Sequence, residues 1–285
     1  MFGKKCTTCD KIVGGLFGKR NWGTTERRQC EACSEREMKE ILQCKKEQRE
    51  KEQREKEQRE KEQRENIELL YQRTKTVEDA DGNVYQTVKI GNQVWTAENL
   101  QTTKYNDNTP IRQITPNDGW YEAPGYCWYN DYKNKQFKCG ALYNWHAVNT
   151  NKLAPVGWHV PTSLEWNIMR DYLIANGYNW DGTTDGNKIA KALAANSHWK
   201  TDKDPGTIGN DLSKNNKTGF SALPGGYRHD GVCIFTGIGE IGGWWCADLN
   251  AANEAQACDL TFGDYSFGLG NGSKNTCFSV RLIKD

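Results

Sequence analysis

Residues 157–166 read GWHVPTSLEW, a strand end, a proline and a helix start within ten residues. His159 alternates with apolar Trp158 and Val160, the pattern of a short strand in which a histidine has a structural place. Pro161 ends that segment, because it has no N–H for a ladder and biases the residue before it towards extended backbone. Thr162 or Ser163 then offers a capping oxygen, and Glu165 falls in a first turn, where the helix dipole favours a carboxylate. Trp166, Met169, Leu173 and Ile174 recur at helical spacing and predict the buried face of a helix from Ser163 to Ile174. The block can be read as the edge of an active site or as scaffold, and the rest of the chain decides between the two.

Around it, residues 74–285 read as one globular domain. Asp81-Gly82 predicts a turn, and Tyr85 to Ile90, the Gly91-Asn92 turn and Val94-Trp95 predict a hairpin. Asp79, Asp81 and Asn83 have the spacing of a calcium loop. No Glu closes a twelve-residue loop counted from Asp79, so the turn reading is preferred. A second helix is expected over Asn187 to Ala195. The last third, with ALPGGYR, GGWWCADL, ACDLTF and CFSVRLIKD, reads as short strands with long connections. Two helices, small twisted antiparallel sheets and long loops define an α+β class.

Upstream, residues 35–73 read as a charged spacer. Ser34-Glu35-Arg36-Glu37 has the form of a capping box, and Met38, Ile41 and Leu42 supply one short apolar stripe. After Cys44 comes a five-residue KEQRE repeat without an apolar side chain. Helix propensity is high throughout, and Glu47–Lys51 and Glu50–Arg54 are spaced for ion pairs. With no apolar a and d positions a coiled-coil seam is excluded, leaving a solvated rod. A helix from Glu35 to Tyr71 would span roughly 55 Å. Disorder is the alternative for so polar a repeat.

Residues 1–34 hold Cys6-x-x-Cys9 and Cys30-x-x-Cys33, a spacing that predicts a four-thiolate Zn2+ ribbon. The metal would supply folding free energy that so small a core lacks. The alternatives are disulfides or a redox motif.

The chain has 285 residues and a net charge of +1, which argues against a global attraction to nucleic acid or anionic membranes. Its 11 Trp and 28 Gly suggest an aromatic, loop-rich fold rather than a helical bundle. No apolar run reaches the ~18 residues of a membrane span, and the N-terminus lacks a signal-peptide pattern. The expected compartment is the cytosol, with export by a non-classical route as the alternative.

Several blocks together resemble a known family. TVKIGNQVWTAENLQTTKYNDNTPI, CGALYNWHAV, APVGWHVPTSLEWNIMRDYL, ALPGGYR, GGWW and FSVRLIKD look like the Fibrobacter succinogenes major paralogous domain, in family order. The first segment resembles small bacterial zinc-ribbon modules with C-x-x-C-x-K-x-x-G and LFGK, here Cys6, Cys9, Lys11, Gly14 and Leu16 to Lys19. The domain resemblance implies a C-type-lectin-like fold related to formylglycine-generating enzymes. Those relatives oxidise a cysteine using copper held by two thiolates, so a cysteine-oxidising metalloenzyme is the alternative function. Cys233, Cys246, Cys258 and Cys277 supply thiols, but not at the enzyme's close spacing. His146, His159, His198 and His229 have no sequence-level catalytic partner. The calcium-lectin motifs are missing as well.

The favoured expectation is a non-enzymatic recognition protein. Its ligand, a protein or glycan, is expected on one face built by the C-terminal loops. Candidate ligand-binding residues are Trp245, Asp248, Asn250, Asn253, Asp264, Tyr265, Phe267 and Asn271, rigid aromatics beside adaptable polar groups. At least one of Trp244 and Trp245 is expected in the core. Related domains are variable proteins of diversity-generating retroelements, so residues 246–277 are the expected diversified face. The ribbon is expected to contact a protein partner or a second copy.

Overall fold

The computed structural model describes residues 4–5, 12–13, 39, 43, 46–63, 65, 75–115, 122–129, 139–230, 234–249 and 252–285. Ribbon cysteines Cys6, Cys9, Cys30 and Cys33, and the ligand candidate Asn250, lie outside the described residues. The chain divides into two units, Met1–Asn66 and Ile67–Asp285.

In the first unit β1 (Lys4–Lys5) and β2 (Ile12–Val13) pair antiparallel, and residues 46–63 form helix α1. Its described ion pairs run in the opposite order from the one expected: Lys46–Glu50, Lys51–Glu55, Lys56–Glu60 and Lys61–Glu65, at 3.8–3.9 Å. The repeat explains the change. Glu47, Glu52, Glu57 and Glu62 accept from the glutamines four residues earlier, which leaves the lysines to the other glutamate of each repeat. These pairs are exposed, so each contributes only a few tenths of a kcal/mol.

In the second unit the hairpin forms as β4 (Val84–Ile90) and β5 (Gln93–Thr96), with Ile90 opposite Gln93. The turn residue Gly91 has φ +61°, and a Cβ there would lie 3.0 Å from the Tyr172 ring, so both backbone and space call for glycine. The Asp79 carboxylate accepts from the N–H groups of Asp81 and Asn83 at 2.9 and 3.0 Å, building the turn that precedes the hairpin. With β3 (Thr76–Glu78), β9 (Trp158–His159) and β16 (Ile283–Lys284), a five-stranded sheet forms in the order β3-β4-β5-β16-β9.

A second sheet uses β6 (Arg112–Gln113), β7 (Gly125–Cys127), β8 (Leu142–Asn144), β10 (Gly225–Arg228), β11 (Phe235–Ile238), β12 (Ile241–Leu249), β13 (Glu254–Thr261), β14 (Gly268–Ser273) and β15 (Cys277–Phe278). Its order is β14-β13-β12-β10-β15-β8-β7-β6, with β11 on β10. It is larger than the small antiparallel sheets expected, and it is mixed, since β6–β7 and β10–β12 run parallel. The cause is partner exchange within β10. Gly225 and Tyr227 pair with β11, Gly226 pairs with Gly242, and Arg228 pairs with both Phe235 and Cys277.

Three helices complete the mixed α and β unit: α2 (Trp145–Val148), α3 (Ser163–Ala175) and α4 (Ala190–Leu193). Thr162 caps α3. Its hydroxyl accepts from the Glu165 N–H while Glu165 returns a bond to the Thr162 N–H, a reciprocal capping box of the kind that contributes about 1 kcal/mol. The second expected helix, over 187–195, shrinks to the single turn α4. Ala194 leaves helical backbone at ψ 140° and bridges Ala222 instead. α2 has no counterpart among the expected helices.

Two apolar clusters form the main core. In one, the Trp166 ring, 0% exposed, lies against Trp95, Phe267, Phe220 and Trp244 at centroid distances of 4.6, 5.6, 5.9 and 6.4 Å. The other gathers Tyr85, Tyr143, Trp145, Trp158 and Trp245. Beside Trp244 sits the buried guanidinium of Arg281. It donates to Asn99 Oδ1 at 2.6 Å, to the carbonyls of Thr96 (2.7 Å) and Phe220 (3.0 Å), and to that of Ser221 (3.1 Å). Trp244 Nε1 donates to the same Asn99 oxygen at 2.8 Å.

Candidate functional site

The seven described ligand candidates do not form one surface. Trp245 and Phe267 are 0% and 3% exposed and lie in the core, so neither offers area to a ligand. Asp248 is half-buried, and its carboxylate accepts from the Ser163 N–H at the start of α3, where the helix dipole favours a negative charge. Asn253 and the pair Asp264 and Tyr265 flank opposite ends of β13, which is 8 residues long and therefore spans about 25 Å. Asp264 is used locally, accepting from the Ser266 N–H and hydroxyl. Of the seven that are described, only Asn271 lines the pocket that the sheet does form.

That pocket, of about 380 Å³, opens on the face of β12, β13 and β14. Register explains its floor. Gly243, Asp259 and Gly268 stand in one row across the three strands, and Trp245, Ala257 and Gly270 in the next. Residues paired across a ladder point to the same face, so apart from Trp245 and Asp259 these rows place only glycine and alanine on this face. The Phe278 ring lies across the floor. A Cβ at Gly243 would be 2.8 Å from Phe278 Cδ1, and one at Gly272 would be 2.7 Å from Cε2. Tyr227 packs against Phe278 at 5.5 Å, and Trp245 supports it from below at 4.8 Å. At Gly270, by contrast, a Cβ would meet nothing within 4 Å, so the open space stands over that residue.

The rim is polar. Asp259 lies over Gly268. Burial by the surrounding sheet raises its carboxyl pKa, with the charge of Asp264 adding and a Thr261 hydrogen bond opposing. His229 pairs with Asp230 at 3.2 Å. Beyond the pocket, β14 is the last strand of the sheet, and its outer edge is unpaired among the described residues. The five described cysteines are buried, and Cys139, Cys246, Cys258 and Cys277 are free thiols. Burial pushes the Cys139 thiol up to about 11 and holds that of Cys258, beside Cys246, well above its usual value, the reverse of what activates a thiolate. Among the described residues, no three His, Cys, Asp or Glu side chains gather as a metal site.

His159, in GWHVPTSLEW, acquires partners that no local sequence pattern points to. Its Nε2 meets Glu165 Oε1 at 2.8 Å and its Nδ1 meets Asp285 Oδ1 at 2.7 Å. The Glu165 hydrogen bond, opposed by partial burial and reinforced by Asp285, raises its pKa from 6.5 to about 9. A raised folded-state pKa gives stability that is complete below the unfolded value and is lost as pH rises through the folded one. The loss therefore falls between pH 6.5 and about 9. The imidazole is partly exposed, so solvent screening limits the effect to about 1 kcal/mol. The urea midpoint of the wild type should fall between pH 6 and pH 9.5, whereas His159→Gln should show a flatter profile. Equal profiles would show that the His159 contacts with Glu165 and Asp285 do not carry this stability.

Mixed α and β secondary structure and a shallow pocket floored by small residues define the second unit. The chain belongs to the Fibrobacter succinogenes major domain family, whose model matches residues 88–284 and so takes in the whole pocket. Comparison with curated proteins and with solved structures returned no match. Among the described residues no helix is long and apolar enough to cross a membrane.

Proposed function

We propose that this protein is a non-enzymatic recognition protein with a C-type-lectin-like domain, and that its ligand occupies the Gly270 pocket. The observation carrying this reading is the pocket itself: a floor of Gly243, Ala257, Gly270 and Gly272 beside the unpaired edge of β14. Of the two ligand classes expected, a protein segment suits this site better than a glycan. An extended chain can add to a free strand edge through its backbone and drop alternate side chains into the adjoining pocket. A basic side chain would meet Asp259, for which no cation is present among the described residues.

Zn2+ held by Cys6, Cys9, Cys30 and Cys33 would brace the N-terminus, which contacts a protein partner or a second copy. The KEQRE segment is a spacer between that anchor and the recognition domain. Free, buried thiols at Cys139, Cys246, Cys258 and Cys277 support a reducing, cytosolic setting. Diversification of residues 246–277 has its own genomic test, a near-identical repeat differing at template adenines beside a reverse transcriptase.

Filling the pocket tests the binding role. Gly270→Trp in the full chain should leave thermal stability within about 2 °C, because an exposed site with open space absorbs the ring. Capture of ligand from the native lysate should fall by at least 10-fold, on the order of 1.4 kcal/mol. Unchanged capture would reject the pocket. The competing reading, a cysteine-oxidising metalloenzyme, requires copper-dependent oxygen consumption with a cysteine peptide. Turnover abolished by Cys→Ser at Cys246 or Cys258 would replace the binding reading.

A further inference from the structure

A second cavity, of about 430 Å³, lies away from the sheet face, between the segment after α3 and residues 205–217. Its wall includes Trp180, a large aromatic left 44% exposed. The indole is held as a platform rather than left free. Gly206 has φ +87°, and a Cβ there would fall 2.2 Å from Trp180 Cε2, so the ring lies directly on glycine backbone.

The charge of the lining has one sign. Lys191, Lys214 and Lys217 contribute to it, and no Asp or Glu does. Lys191 is buried, and its Nζ donates to the carbonyls of Thr207 (3.1 Å) and Asn210 rather than to a carboxylate. Lys217 sits 4.9 Å from the centroid of the Tyr178 ring. Of the three, only Lys214 has an ion-pair partner among the described residues, Asp211 at 3.1 Å. Polar atoms of both kinds also stand unused: the Trp180 indole N–H, the Tyr178 hydroxyl and Asn210 Oδ1 make no hydrogen bond among the described residues.

An aromatic platform, a cluster of three lysines of which only Lys214 is paired with a carboxylate among the described residues, and mixed donors and acceptors together suit a hydroxylated ring bearing an anion. We infer that this cavity is a binding site for an acidic saccharide, its pyranose ring on Trp180 and its carboxylate towards Lys214 and Lys217. Asn210 Oδ1 and the Tyr178 hydroxyl receive ring hydroxyls. A nucleoside phosphate shares the ring and the anion but presents fewer hydroxyls beside the ring that stacks. The site is separate from the Gly270 pocket and does not depend on it.

Titration calorimetry on the full chain tests this with tetragalacturonate, neutral cellotetraose and AMP as probes. Tetragalacturonate should bind with Kd between roughly 10 µM and 1 mM. Cellotetraose and AMP should each bind at least about 10-fold more weakly. Trp180→Ala should weaken tetragalacturonate about 10-fold or more and Lys217→Gln about 3-fold or more, while Gly270→Trp leaves it unchanged. Both substitutions are on the surface, so thermal midpoints should stay within about 2 °C. No binding of tetragalacturonate, equal binding of cellotetraose, a preference for AMP, or full affinity in Trp180→Ala would each overturn the assignment.

Discussion

Arg281→Lys, which keeps the charge and removes the planar fork, should destabilise the protein by about 2–4 kcal/mol. The guanidinium serves four acceptors at once: Asn99 Oδ1 and the carbonyls of Thr96, Phe220 and Ser221. These belong to segments far apart in sequence, and its plane also lies 4.5 Å from the Phe220 ring centroid. A lysine ammonium has three donors around one point and cannot span that fork. At least two buried acceptors would lose their partners, each at a cost of about 1–3 kcal/mol, partly offset by the bonds lysine keeps. Burial lowers the Arg281 pKa to about 9, so the group is still protonated at neutral pH. The cation is therefore retained for its geometry: among the described residues no carboxylate forms an ion pair with it, and the nearby Glu98 charge only partly offsets burial. For a domain of this size the loss corresponds to roughly 5–12 °C in Tm. Asn99→Ala should cost a similar amount, and the double variant less than the sum, because both remove the same bond. Thermal unfolding by circular dichroism decides. A Tm unchanged in Arg281→Lys would show that the fork is not what joins these segments.

How far the sequence announces this arrangement depends on the range of each interaction. The α3 capping box was legible because Thr162 and Glu165 are three residues apart, and the β4–β5 hairpin because Gly91-Asn92 carries its own turn chemistry. The Arg281–Asn99 bond joins positions 182 residues apart, and no local pattern reports it. Trp244 and Trp245 are both buried for a reason that lies between these cases. Adjacent strand residues point to opposite faces, and β12 has core on both sides, so one ring enters each cluster. A reading that assumes a half-exposed strand keeps one of them for a ligand. α4 failed in the other direction, since helical propensity in an alanine-rich run yielded to a bridge at Ala222.

The pocket was legible as a region but not as a set of residues. Everything that lines it follows Pro224, where the loops were expected to act. Among the residues expected to bind there, Trp245 and Phe267 belong to the core, Asp248 to the α3 cap and Asp264 to the β13–β14 turn. The usable signal was instead the spacing of small residues. Gly268-x-Gly270-x-Gly272 and Ala255-x-Ala257-x-Asp259 alternate with a period of two, which in strands places each set on one face. A cleared face marks where another surface can approach, whereas a count of aromatics mostly measures the core.

Trp166, the residue that ends GWHVPTSLEW, should be costly to truncate and cheap to replace with phenylalanine. Trp166→Ala removes a fully buried ring that contacts Trp95, Phe220, Trp244 and Phe267, and a loss of about 3–5 kcal/mol is expected from transfer and cavity together. Trp166→Phe keeps most of the aromatic packing. It also deletes an indole N–H that has no hydrogen-bond partner among the described residues, and relief of that buried donor, worth about 1–3 kcal/mol, offsets much of the lost area. Trp244 occupies the same cluster but donates its N–H to Asn99 Oδ1. Trp244→Phe loses area without that relief and also gives up a bond in the Asn99–Arg281 network. The two conservative replacements should therefore differ, with Trp244→Phe less stable than Trp166→Phe by about 1–2 kcal/mol. Urea unfolding of the two variants measures this difference directly. Equal midpoints would mean that the Trp166 N–H is satisfied in solution. The ring would then have to be credited with a polar role that its surroundings do not offer.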